Sequence, residues 1–233
     1  MTPEYFRRGE GRVQNAIKQE YAKLYGSHDS IICDGIVNPE RYVASGKRIL
    51  WFLKEPYDNG EAYNDVRDGG WSLTEDCMNQ KTDRTSRQKA FQPICYIDYG
   101  LRKNINDWDE MPWLRDSQEI RDGLKNIAFI NVLKLPGLKA SPSSRIVEGY
   151  QKHRQLLLDQ ITAYAPEIIF ACDPHADLIK EDLGMLDLQW KWFGTAAALQ
   201  VSANQKLVFV QHPSQRSSRR NYINDAIKAA TAP

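Results

Sequence analysis

The chain has 233 residues, of which 42% are hydrophobic and 26% charged, and its formal net charge is +1. This is enough apolar material for one domain with a real core, which excludes a disordered chain, and the balanced charge excludes attraction to nucleic acid through overall charge. No apolar run approaches the roughly 18–20 residues that span a bilayer, and the stretch from Met1 to Arg12 is too polar for a signal peptide; a cytoplasmic protein without membrane contact is expected.

In chain order, Phe6, Val13, Ile17, Tyr21 and Leu24 are spaced as one face of an amphipathic helix over 3–25, ended by Gly26. Residues 31–46 read as a loop or a short helical turn, and the apolar run at 48–55 predicts the first strand. The stretch 56–84 is rich in Gly, Asn and Asp and shows no periodicity, the pattern of a functional or disordered connection. Residues 87–104 predict a helix interrupted at Pro93, and 114–125 predict another ahead of a strand at 126–133. Pro136-Gly137 and Ser141-Pro142-Ser143-Ser144 punctuate the next loop, with Ser143 or Ser144 placed to cap a helix over 145–164. A strand at 167–172, a short helix from Pro174 to Leu183, an extra strand or hairpin arm within 190–201, a strand at 206–211 and a helix over 217–230 complete the chain.

Helices alternating with continuous apolar strands predict an α/β fold: a three-layer αβα sandwich around a central, mostly parallel four-stranded sheet. A single domain over 1–233 is expected, with residues 1–46 as an N-terminal helical extension. The first strand is followed by no G-x-G-x-x-G, and the chain has no Walker lysine loop and no G-x-S-x-G elbow, which disfavours a dinucleotide enzyme, a P-loop enzyme and a serine hydrolase. Cys33, Cys77, Cys95 and Cys172 are far apart without a C-x-x-C pair, and Cys95 and Cys172 read as buried thiols. His28, His153 and His175 lack metal-ligand spacing; His153 reads as a surface residue, and His175 either starts a helix or borders a strand-end rim. No metal and no cofactor are expected.

Local charge is uneven. Segment 81–89 has four basic residues against one acidic, 204–233 has five basic residues against Asp225, and 107–119 carries four more acids than bases. The split fits either one anion-facing surface or ordinary solvated faces.

Four apolar runs end in polar residues: Lys54-Glu55-Pro56-Tyr57, Asn131-Val132-Leu133-Lys134, Asp173 after Pro166-Glu167-Ile168-Ile169, and His212-Pro213-Ser214. Ligands of open α/β sheets bind beyond the carboxyl ends of the strands, so Glu55, Asn131 and His212 are expected on one rim. These tracts, in this order, resemble the uracil-DNA glycosylase superfamily. That family carries a first-strand G-Q-D-P-Y or G-E-x-P-G motif, an asparagine ending a second strand, a P-x-I-I strand and a late H-P-S tract. The resemblance spans roughly residues 48–230, as ordered motifs rather than continuous similarity.

It implies a hydrolase that cleaves the N-glycosidic bond of a flipped uracil or modified base in single- or double-stranded DNA, acting as a monomer. By the resemblance, Glu55 is the carboxylate that orients water and stabilises an oxocarbenium-like sugar, and His212 hydrogen-bonds the leaving base. Asn131 is the amide that reads the base edge, and Tyr57 narrows the pocket. Trp71 falls near the family's base-stacking position, with Phe91 as a second candidate. Lys134, Ser141, Ser143, Ser144, Ser214, Arg216, Arg219 and Arg220 are the implied DNA contacts, joined by Ser217.

The chain also departs from the pattern. Leu53 and Lys54 replace the motif glycine and its polar neighbour, Arg216 stands where some members have a wedge leucine, and the cysteines of iron–sulfur members are absent, so no cluster is expected. These departures leave the base undefined. The alternatives are a catalytically silent member that binds nucleic acid or a nucleotide, and an unrelated α/β hydrolase or interaction domain.

Overall fold

The four long apolar runs form adjacent parallel strands in a computed structural model, which describes residues 1–57, 69–79, 88–137, 141–214 and 218–233. The strands are β1 (Ile49–Leu53), β2 (Ile127–Asn131), β3 (Ile168–Cys172), β4 (Lys191–Phe193), β5 (Ala196–Ser202) and β6 (Gln205–Val210), in the sheet order β2-β1-β3-β6-β5-β4. β2, β1, β3 and β6 pair in parallel, whereas β5 and β4 are antiparallel. The expected four-stranded sheet is therefore corrected to a six-stranded mixed one. The added strands come from two-residue turns: Gly194-Thr195 joins β4 to β5, with Gly194 at φ 64, and Ala203-Asn204 returns the chain to β6. A left-handed residue in so tight a turn suits glycine.

Every residue of β1, β2 and β3 is buried, as parallel strands covered on both faces must be. Alternation sends Trp51, Phe129, Phe170 and Val208 to one face, where helices α4 (Phe91–Lys103) and α8 (Arg219–Thr231) cover them. Leu50, Phe52, Ile130, Ile169 and Leu207 face the other way. They pack with α1 (Pro3–Tyr25), α2 (Pro39–Ala44), α6 (Ser143–Tyr164) and α7 (Ala176–Asp182). The helix layers on both faces make three layers. The N-terminal helix belongs to this core: Phe6 is fully buried beneath the sheet, and Val13, Ile17 and Tyr21 pack on Ile31 and Leu156 of α6.

Several elements differ from the sequence reading. Helix α3 (Leu73–Asn79) lies inside the stretch read as irregular. The helix expected over 114–125 shrinks to α5 (Gln118–Arg121) and a 3₁₀ turn through Asn126. Neither Ser143 nor Ser144 caps α6; Pro142 holds the cap position without a side-chain hydrogen bond. Pro93 sits in the first turn of α4, where a missing N–H costs nothing. Among the described residues, no helix is long and apolar enough to cross a membrane.

Candidate functional site at the carboxyl rim of the parallel strands

The chain leaves β1 toward the α4 face and β3 toward the α7 face, so the neighbouring carboxyl ends form a topological switch point, the place where open α/β sheets take ligands. Glu55 follows β1, Asn131 ends β2, Asp173 and His175 follow β3, and His212 follows β6. The three residues expected on one rim thus share it. At roughly 4.8 Å per strand, the β6 end, which His212 follows, lies about 10 Å from the β1 end and about 14 Å from the β2 end.

At the β2 end, Asn131 is 2% exposed and in register with Leu53. It continues the row of Ile127 and Phe129, which face α4. Its backbone N–H donates to Asp34 Oδ2 at 2.6 Å, and its side-chain Nδ2 is buried without a hydrogen-bond partner among the described residues. Segment 31–37 runs along the outer edge of β2, with Gly35 accepting from the Phe129 N–H and Val37 donating to Ile127, which places Asp34 under Asn131.

At the β1 end, Glu55 is held at the start of α6. Its side chain is 3% exposed, Ser141 Oγ donates to Oε1, and Arg145 lies 3.2 Å from Oε2. The placement suits a carboxylate beside a helix N-terminus. Gly137 makes it possible, because a Cβ there would lie 2.3 Å from Glu55 Cγ. The Gly137 N–H donates to Pro56, and the Tyr57–Gly137 bridge leaves the Tyr57 side chain exposed.

At the β6 end, His212 Nδ1 accepts from the Ser214 N–H at 3.3 Å and lies 2.7 Å from Ser214 Oγ. A backbone donor on Nδ1 puts the ring proton on Nε2. Burial, with the Lys54 ammonium adding to it, pushes the imidazole down to about 4, so it is neutral at pH 7. His175 is fully buried, and burial pushes it down to about 3. Its Nε2 donates to the Phe52 carbonyl at 2.8 Å, and its Nδ1 has no partner among the described residues. Both readings left open for His175 hold: it lies just past the end of β3 and is also the cap residue of α7, whose Ile179 N–H donates to the His175 carbonyl.

The remaining implied contacts scatter. Trp71 and Phe91 are partly buried against the α4-side core, with Phe91 edge-on to Phe129 at 5.8 Å. Lys134 is 2% exposed, and its ammonium bonds Asp34 Oδ1 and Oδ2 at 2.9 and 2.7 Å and Gln160 Oε1 at 2.8 Å, so it faces the interior and not a phosphate. Ser141 is spent on Glu55, while Ser143 and Ser144 are exposed at the α6 start. Arg219 is exposed, but Arg220 pairs with Asp109 at 2.7 Å and with Asp107 at 3.4 Å, so the basic and acidic segments neutralise each other there. Arg216 and Ser217 lie outside the described residues.

Two participants escaped the sequence reading: Asp34 and Arg145 come from segments without a motif. His153, expected on the surface, is 2% exposed, stacked on Tyr21 at 4.6 Å and bonded to Glu20. The cysteines are free thiols, and no cluster of metal-binding side chains occurs among the described residues. No protein-family model matches the chain, and no curated protein sequence matches it either.

Proposed function

We propose that the chain is a DNA-glycosylase-like hydrolase that cleaves the N-glycosidic bond of a flipped uracil or modified base. One observation carries this reading. The rim that holds the unspent Asn131 amide also holds a neutral imidazole whose Nδ1 is occupied and whose remaining N–H is on Nε2. A buried amide donor left unpaired costs about 1–3 kcal/mol, a cost that a bound base edge would remove. In the proposed reaction the base leaves the stack, Asn131 hydrogen-bonds its edge, and His212 Nε2–H donates to a base carbonyl as negative charge develops there. Glu55 stabilises the positive sugar and orients the water that adds to C1′, releasing free base and an abasic site.

The state of Glu55 favours the second reading, a silent nucleic-acid-binding member. Ser141 and Arg145 engage both of its carboxylate oxygens, which leaves less capacity to orient water. The test is base release from oligonucleotides carrying uracil, hypoxanthine, xanthine, alkylated pyrimidines or hypermodified pyrimidines. The hydrolase reading expects release by the native protein. It also expects a loss of about 100-fold or more in both Glu55→Gln and His212→Ala, each with an unchanged unfolding temperature. Binding of single-stranded or abasic DNA without release selects the second reading, and neither binding nor release rejects both.

A further inference from the structure

We propose that the Asp34–Lys134 pair is a positioning device for Asn131, and that it is what keeps the Asn131 amide free to read a base. The inference rests on the base-binding reading of the rim and deepens it. An asparagine at a strand end ordinarily turns its side chain back on nearby backbone groups. Here that need is met from elsewhere. Asp34 Oδ2 accepts the Asn131 N–H at 2.6 Å, and the neighbouring ladder continues beyond the strand, with Val132 donating to Leu53 and Leu133 to Lys54. With its own N–H satisfied, Asn131 does not need to turn its side-chain Oδ1 back on the backbone, and its Nδ2 is unpaired in a buried position.

Asp34 is fixed in turn. Both of its oxygens accept from Lys134 Nζ, and Gln160 Nε2 donates to Oδ1 at 3.1 Å. Gln160 also accepts from the same ammonium and donates to the Tyr164 hydroxyl at 3.2 Å. The Lys134 N–H donates to Tyr21 Oη at 3.1 Å, which ties the network to α1. The side chains of Lys134 and Asp34 are 2% and 0% exposed. A dry ion pair gives little net stability over an apolar pair of the same shape, so its value here is orientation: it fixes one acceptor beneath one strand-end N–H.

The test uses two neutral double variants of the whole chain. Asp34→Asn/Lys134→Met keeps a side-chain acceptor under Asn131, and Asp34→Leu/Lys134→Met removes it. Unfolding temperature, the kcat/KM of base release and the Asn131 side-chain NH₂ resonances are measured on each, with free uracil as the binding probe. The expected result is near-native kcat/KM in the first variant. The second should lose about 100-fold, the scale of a misplacement near 1 Å, with moved Asn131 resonances at an unfolding temperature close to that of the first. In an Asn131→Ala background the two doubles should have equal kcat/KM. A folded Asp34→Leu/Lys134→Met variant with native Asn131 resonances and native kcat/KM overturns the proposal. Should that variant not fold, relaxation of the native Asn131 NH₂ group decides: an ordered amide supports the proposal, and a freely mobile one overturns it. Native protein that neither binds nor releases any base removes the reading on which the proposal rests. That outcome is distinct from unaltered resonances in the variant.

Discussion

The two ends of the rim are built differently. At the β2 end, Asn131 is held by a carboxylate 97 positions away in sequence, which is itself gripped by a lysine and a glutamine in the dry interior. At the β6 end, His212 is held by Ser214, two residues further along the chain. A long-range support depends on the whole fold and fixes geometry at a cost in buried charge. A local turn depends on little else and fixes only a tautomer. The β2 end should therefore respond strongly to mutation in stability, and the β6 end weakly.

The largest effect is expected from Lys134→Met, which strands the Asp34 carboxylate in the interior. Urea unfolding should show a loss of about 3–5 kcal/mol, and a loss below about 1 kcal/mol would mean that the pair holds nothing.

Next comes pH. Glu10 of α1 accepts from Gln14 at 3.0 Å, and burial, joined by the negative charge of Asp34, pushes its carboxyl from 4.5 up to about 7. The folded state then holds this proton more tightly than the unfolded chain. Its contribution is complete below pH 4.5 and is lost as pH rises to about 7. The change is worth about 3 kcal/mol. The histidines run the other way: His212 is pushed down to about 4 and His175 to about 3, so their contribution is present above 6.5 and is lost as pH falls. Comparing the native protein with Glu10→Gln isolates the first effect. The difference in unfolding free energy should move in favour of Gln as pH rises from 4.5 to 7, and a flat difference would remove Glu10 from the account.

The smallest effect belongs to Ser214→Ala. The hydroxyl goes but the backbone N–H stays, so stability should change by about 1 kcal/mol or less. Nitrogen chemical shifts should still show His212 protonated on Nε2. Transfer of the proton to Nδ1 would contradict the tautomer assignment.

What the sequence made legible follows the same division. β1, β2, β3 and β6 could be read because each is a compact apolar run, and α1 because its buried residues keep helical spacing up to Gly26. Leu24 broke that pattern by lying 41% exposed in the last turn. β5 was hard to read because Ala196-Ala197-Ala198 has little strand propensity and gains its place only by packing on β6 and α8. His153 looked exposed among charged neighbours, yet with Tyr150 and Leu157 it lies on the buried stripe of α6, a periodicity that was available. Lys134 was read as a DNA contact through the resemblance, at the end of the Asn131-Val132-Leu133-Lys134 tract. Its partner is 100 positions away, and no local pattern connects the two. The strand-end residues and the nearby serines Ser141 and Ser214 were thus readable, and the distant groups that hold Asn131 and Glu55, namely Asp34 and Arg145, were not.

The most direct measurement is a crystal structure of the protein with a bound nucleobase. The account predicts the base at the β2–β1–β3–β6 rim, with one edge within hydrogen-bonding distance of Asn131 Nδ2 and a carbonyl facing His212 Nε2. A base seated elsewhere, or a rim closed by packed apolar side chains between Asn131 and His212, would contradict it.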